Sequence, residues 1–135
     1  MLEKFENKIK KSPKNNIQIQ KGDITKINFP DNTFDVALAP NIIHLLDNPE
    51  KALNELKRIV KKGGIIIIPT YITKQENKTM KNIGKALFKL VGFNSNSWTE
   101  NEYIEILKKH NMKIREYKIF KLKLYECTVI IENDK

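Results

Sequence analysis

The sequence predicts an α/β fold, and three observations carry that prediction. Two apolar runs, Phe34 to Ala39 and Ile65 to Ile68, are dense enough to be parallel strands buried on both faces. Between them lies one amphipathic helical stretch, which makes a strand, helix, strand unit with a right-handed crossover. Lys113 to Glu132 is rich in β-branched and aromatic residues and reads as two strands folding back near Lys121 to Lys123. The sheet is therefore mostly parallel, with an antiparallel hairpin at its C-terminal end.

The elements follow in order. Leu2, Phe5 and Ile9 stand three and four residues apart and predict a short helix ended by Pro13. Ile17, Gln18, Ile19 and Gln20 alternate, which predicts a strand with one apolar face, stopping at Gly22 and Asp23. Pro30 to Thr33 reads as a turn into the strand Phe34 to Ala39. Asn48 and Pro49 are cap and first residue of the next helix, with Ala52, Leu53, Leu56, Ile59 and Val60 on one face and Gly63 closing it. A helical pattern runs from Lys78 to Gly92, and Thr99 with Glu102 forms a capping box for a helix that stops near Asn111.

Composition narrows the function. The 135 residues suit one domain, 1-135, and 40% apolar content against 30% charged predicts a packed core. The longest uncharged apolar run, GGIIIIPTYI, is far short of the roughly 20 residues of a membrane helix. With one cysteine, Cys127, and no secretory pattern at the start, the expected compartment is the cytoplasm. No metal site is expected, since no cysteine cluster of zinc-ligand spacing exists. The net charge of +9 comes from 23 Lys and only 2 Arg, whereas nucleic-acid readers lean on arginine with interleaved aromatics. A basic nucleic-acid-binding domain is thus the third-ranked reading, and no specific nucleic acid is expected as a partner.

Several strings carry a resemblance. They are Gly22-Asp23-Ile24, Phe29-Pro30-Asp31-Asn32-Thr33-Phe34-Asp35, Ile43-His44-Leu45 and Arg58-Ile59-Val60-Lys61-Lys62-Gly63-Gly64, followed by SWTENEYIEILKKHNMKIREYKI. Together they resemble class I S-adenosylmethionine-dependent methyltransferases, especially the ubiquinone and menaquinone C-methyltransferase group; Asn111-Met112 stands where that group has Gly-Phe. The resemblance implies a Rossmann-like methyltransferase sheet, S-adenosylmethionine as cofactor, and a small-molecule methyl acceptor. It places Asp23 on the adenine amino group and Ile24 on the adenine ring. With Gly22, and with Ala39, Pro40 and Asn41 at a strand's carboxyl end, they form the expected cofactor site. His44 is the candidate catalytic residue, on the substrate side, where a neutral imidazole could take a proton; its other reading is a half-buried histidine packed at a helix start. Phe88, Phe93 and Trp98 fall where relatives build a lid, and read equally as the inner face of a helix.

The departure matters as much. Five glycines, at 22, 63, 64, 84 and 92, allow no GxGxG anywhere, so the glycine-rich loop of the family's cofactor site is absent from this chain. The expectation is a truncated domain without the family's first two strands, an impaired enzyme, or a non-catalytic subunit that pairs through its sheet edge. In the family's strand order, 3-2-1-4-5-7-6, removing strands 1 and 2 bares one edge of Phe34 to Ala39. Ile17 to Gln20 is expected to move in beside it, giving 3-4-5-7-6; a homodimer or a partner chain bringing the missing strands is the other remedy.

Overall fold

The computed structural model describes residues 16–73, 96, 98–121 and 124–135. Strand β1, Phe34–Leu38, enters from a turn in which Asn32 is left-handed (φ 56°) and the Thr33 hydroxyl donates to Pro30 O at 2.7 Å. After a single 3-10 turn, Ile43–Leu45, helix α1 spans Pro49–Ile59. Asn48 caps it by accepting from the Glu50 amide, and Ala52, Leu53, Leu56 and Ile59 form its buried stripe. Strand β2, Val60–Ile72, follows without a loop. Helix α2, Glu100–Lys109, starts at the predicted capping box, where the Thr99 hydroxyl and the Glu102 carboxylate each accept from the other's amide. Strands β3, Lys113–Lys121, and β4, Tyr125–Glu132, form the C-terminal hairpin.

The sheet runs β1-β2-β4-β3, with β1 parallel to β2 and the other pairs antiparallel. Register places Ile66, Ile68 and Thr70 beside Ile131, Val129 and Cys127, and all six side chains are buried on one face. That face shares a single core with the α1 stripe and with Tyr103 and Leu107 of α2; the Tyr103 hydroxyl donates to Ile68 O at 3.0 Å.

Four expectations need correction. Ile17 to Gln20 forms no strand and pairs with nothing: Ile17 is 52% exposed, and β1 has β2 as its only strand neighbour among the described residues. Two isoleucines spaced for alternation cover too little area to offset the ordering of a strand at an edge. β1 is not buried on both faces, because Val36 and Leu38, in register with Ile65 and Ile67, stay 55% and 62% exposed. An apolar run permits two-sided burial, but a second covering layer has to exist. β1 also ends at Leu38, one residue before Ala39.

Gly63 does not close α1, which ends at Ile59 with Val60 already extended. The glycine pair serves the strand instead. Gly63 takes φ 76°, and a Cβ on Gly64 would lie 2.7 Å from Asp35 O and 2.9 Å from Lys61 O. The register slips at this point, from Phe34 opposite Val60 to Val36 opposite Ile65, and only a residue without a side chain fits the gap. The N-terminal helix, the helical pattern from Lys78 to Gly92, and Phe88 and Phe93 lie outside the described residues.

Candidate functional site

In an open α/β sheet ligands lie beyond the carboxyl ends of the parallel strands. The carboxyl end of β1 is built from Ala39, Pro40 and Asn41. Ala39 is buried and its amide donates to Ile67 O at 2.9 Å, continuing the ladder for one residue. Pro40 is exposed. Asn41 turns left-handed (φ 50°), a conformation asparagine tolerates better than most residues, and its amide donates to Pro69 O at 2.8 Å. Its side-chain Nδ2 faces Glu126 Oε2 of β4 at 3.4 Å, while Oδ1 is buried with no partner.

His44 follows in the 3-10 turn, 7% exposed. Its Nδ1 lies 3.0 Å from the hydroxyl of Thr70, which is fully buried, and its ring meets Tyr71 edge-on at 5.9 Å. Burial lowers its pKa below the usual histidine value, so the ring is neutral near pH 7. Asn96 holds the turn, its amide donating to His44 O at 2.7 Å and its side chain to Leu46 O at 2.9 Å. Trp98 is half-buried, stacked on Tyr103 at 5.7 Å, and so belongs to the packing around α2. His110 caps the end of α2.

The segment bearing Gly22, Asp23 and Ile24 is a tight turn. Asp23 Oδ1 accepts from the Thr25 amide and hydroxyl, both at 2.8 Å, and the Lys26 amide donates to Asp23 O at 3.0 Å. The Thr25 amide holds the exposed carboxylate below its usual pKa. Gly22 is exposed with open space where a Cβ would sit, and Ile24 is half-buried against the core. The chain beyond is clamped by Arg58, whose guanidinium donates to Ile27 O, Phe29 O and Asp31, each at 2.8 Å, and to Glu55. Glu55 in turn accepts from the Ile27 amide at 2.7 Å, and with Arg58 beside it its pKa falls to about 2. Lys51, in the first turn of α1, also exerts a field on Asp23. The N-terminus of α1 follows the carboxyl end of β1, so Lys51 links the Asp23 turn to that end of the sheet; no hydrogen bond joins Asp23 to Asn41.

Sequence reasoning singled out His44 and Asn41 but missed Thr70, Glu126 and the Glu55–Arg58 clamp. Arg58 and Glu55 stand three apart on one helix, a spacing that signals a pair. Nothing local marks Thr70 or Glu126, which are 26 and 85 residues from their partners.

A family model described as a methyltransferase domain matches residues 1–68, half of the 135-residue chain. The chain belongs to the methyltransferase domain family. A methyltransferase of Schizosaccharomyces pombe is 43% identical over 61 residues, covering 45% of this chain and 22% of that protein. A phosphatidylethanolamine N-methyltransferase of Cereibacter sphaeroides is 27% identical over 59 residues, covering 44% and 29%. The matches thus span less than a third of these relatives. The solved structure of an S-adenosylmethionine-dependent methyltransferase from Methanosarcina mazei superposes with a TM-score of 0.71 at 14% identity, covering 96% of this chain and 75% of that one. This shared architecture identifies the sheet as the Rossmann-like methyltransferase type. Among the described residues no helix is long and apolar enough to cross a membrane.

Proposed function

We propose that this chain is a single partial methyltransferase domain, 1-135, similar to the ubiquinone and menaquinone C-methyltransferase group, acting in the cytoplasm on a small-molecule acceptor. Its cofactor is S-adenosylmethionine, which supplies an electrophilic methyl group on a sulfonium when bound. The residues present fit the adenosine half. Asp23 is anionic and exposed, and with Oδ1 committed to Thr25 its Oδ2 can accept from an amino group. Ile24 offers an apolar wall beside it, and Gly22 leaves room for close approach. Ala39, Pro40 and Asn41 close the strand end, where the buried Asn41 Oδ1 is an acceptor still lacking a donor. His44 is the group that meets the acceptor molecule.

The methionine half is not provided for, since the 135 residues contain no GxGxG. Cofactor binding by this chain alone is therefore weak, and catalysis impaired. The observation that carries the reading is the Asp23 turn, whose exposed carboxylate accepts from Thr25 and feels Lys51 at the start of α1, while the Glu55–Arg58 clamp holds the chain from Ile27 onward at the entry to β1. Titration calorimetry with S-adenosylhomocysteine tests it on the full chain. Weak binding that disappears in Asp23→Ala is expected. No binding, or binding indifferent to Asp23→Ala, overturns the cofactor site, and low-micromolar binding overturns the impairment.

A second reading has its own observation. Because the Ala39 amide donates to Ile67 O, strand alternation turns the amides and carbonyls of Val36 and Leu38 to the side of β1 away from β2, where no other strand of the described residues lies. This suits a non-catalytic subunit, or an incomplete enzyme, whose β1 pairs with a second copy or with a partner chain carrying further strands.

A further inference from the structure

We propose that Thr70 fixes His44 in a single tautomer, with the proton on Nε2, so that His44 meets the methyl acceptor as a hydrogen-bond donor to an oxygen and not as a base. Thr70 is fully buried on the core face of β2, and among the described residues its hydroxyl has one hydrogen-bond partner, His44 Nδ1 at 3.0 Å. A hydroxyl always carries a hydrogen to place. If Nδ1 held the ring proton and donated it to Thr70, the hydroxyl hydrogen of this buried side chain would be left without an acceptor, a loss that buried donors rarely sustain. If Thr70 donates to Nδ1, both groups are satisfied. The proton of the neutral ring then sits on Nε2.

Nε2 is open to a ligand. Among the described residues it has no hydrogen-bond partner, and it is not one of their buried unpartnered atoms, which are Asn41 Oδ1 and Asn133 Oδ1. The small exposed fraction of His44 thus includes this nitrogen, at the same end of the sheet as Asn41. Asn96 holds the backbone of the 3-10 turn through His44 O and Leu46 O, and the bond to Thr70 together with the edge-on contact to Tyr71 holds the ring. A protonated Nε2 takes a carbonyl, phenolate or enolate oxygen as its complement. It does not take a proton from a neutral hydroxyl, so the acceptor it selects is one whose reacting atom needs no deprotonation by His44. Thr70 is in this sense a positioning residue.

The ligand half of this inference rests on the methyl-transfer reading, but the tautomer does not and is measured on the chain without any ligand. The chain has two histidines, so His110→Gln leaves only His44 in a long-range proton–nitrogen correlation spectrum of 15N-labelled protein at pH 8. The expected pattern is an unprotonated Nδ1 and a protonated Nε2. Thr70→Ser keeps the pattern, whereas Thr70→Val draws the two nitrogen shifts toward each other as the tautomers mix. A merely structural threonine would leave them fixed. A proton on Nδ1 in the chain with Thr70 in place, or shifts unmoved in Thr70→Val, overturns the proposal. If Thr70→Val does not fold, the spectrum with Thr70 in place still decides the tautomer. Either outcome leaves the S-adenosylhomocysteine titration to judge the methyl-transfer reading separately.

Discussion

Asn133→Asp replaces one amide nitrogen with an oxygen of nearly the same size, at a point where that nitrogen holds the carbonyls of the α1 exit from the buried side. Asn133 is 1% exposed, and its Nδ2 donates to Lys57 O at 2.9 Å and Val60 O at 2.7 Å, with Lys61 O at 3.3 Å. The neighbouring carbonyls Arg58 O and Ile59 O are taken by the amides of Asn32 and Thr33, and Lys135 Nζ reaches Lys57 O and Arg58 O from the exposed side, so Asn133 completes the cap on this helix end. Removing the donor costs about 1 kcal/mol per short bond, and burying a carboxylate against carbonyl oxygens adds several more. The expected loss is about 3 to 5 kcal/mol at neutral pH, which moves a urea midpoint by about 2 M at ordinary m-values. Asn133→Ala, which adds no charge, should lose only about 1 to 3 kcal/mol.

The pH dependence gives the sharper check. In the folded Asn133→Asp variant the introduced carboxyl is held above its unfolded pKa of about 3.9, because only the protonated form can donate to Val60 O. The penalty relative to wild type is therefore complete above the folded pKa and shrinks as pH falls toward about 3.9. Urea titrations of the three proteins, monitored by circular dichroism at several pH values, measure this. An Asn133→Asp variant within about 0.5 kcal/mol of wild type at neutral pH, or a gap that stays constant on acidification, would refute the cap argument.

Three further outcomes are expected. Gly64→Ala forces a Cβ to within 2.7 Å of Asp35 O, so it should lose more stability than Gly63→Ala, where φ 76° alone is strained at a cost of about 1 kcal/mol; thermal melts rank the two. Glu55 titrates at about 2 in the folded chain against 4.5 ordinarily, so its contribution is full above pH 4.5 and is lost as pH falls through about 2. The stability gap between wild type and Glu55→Gln should accordingly close on acidification, read from urea midpoints. If β1 pairs with a second copy, Val36→Lys should turn a dimer into a monomer by light scattering, and a wild-type chain that is monomeric at all concentrations excludes self-pairing.

The sequence by itself determined what short-range chemistry controls. Asn48 and Pro49 start α1 and Thr99 with Glu102 starts α2, because a cap needs only residues within one turn. The isoleucine run of β2 and the C-terminal hairpin were legible from β-branched density, and the parallel pairing of β1 with β2 from the helix between them. The strings around Asp23 and Gly63-Gly64 also pointed to the family that the match over residues 1–68 shows. Only the tertiary structure decided what depends on the other side of the sheet. Ile17 and Ile19 carry the alternation of a strand, yet the fold does not bring them beside β1, and two isoleucines alone cover too little area to hold a strand there. Gly63 looked like a helix end, but α1 stops at Ile59; Gly63 instead supplies a left-handed φ and Gly64 the close approach to Asp35 where the register slips. Thr70 and His44 meet because β2 returns beside the exit of β1, and the burial of Thr70, which no local pattern announces, leaves its hydroxyl hydrogen a single place to go.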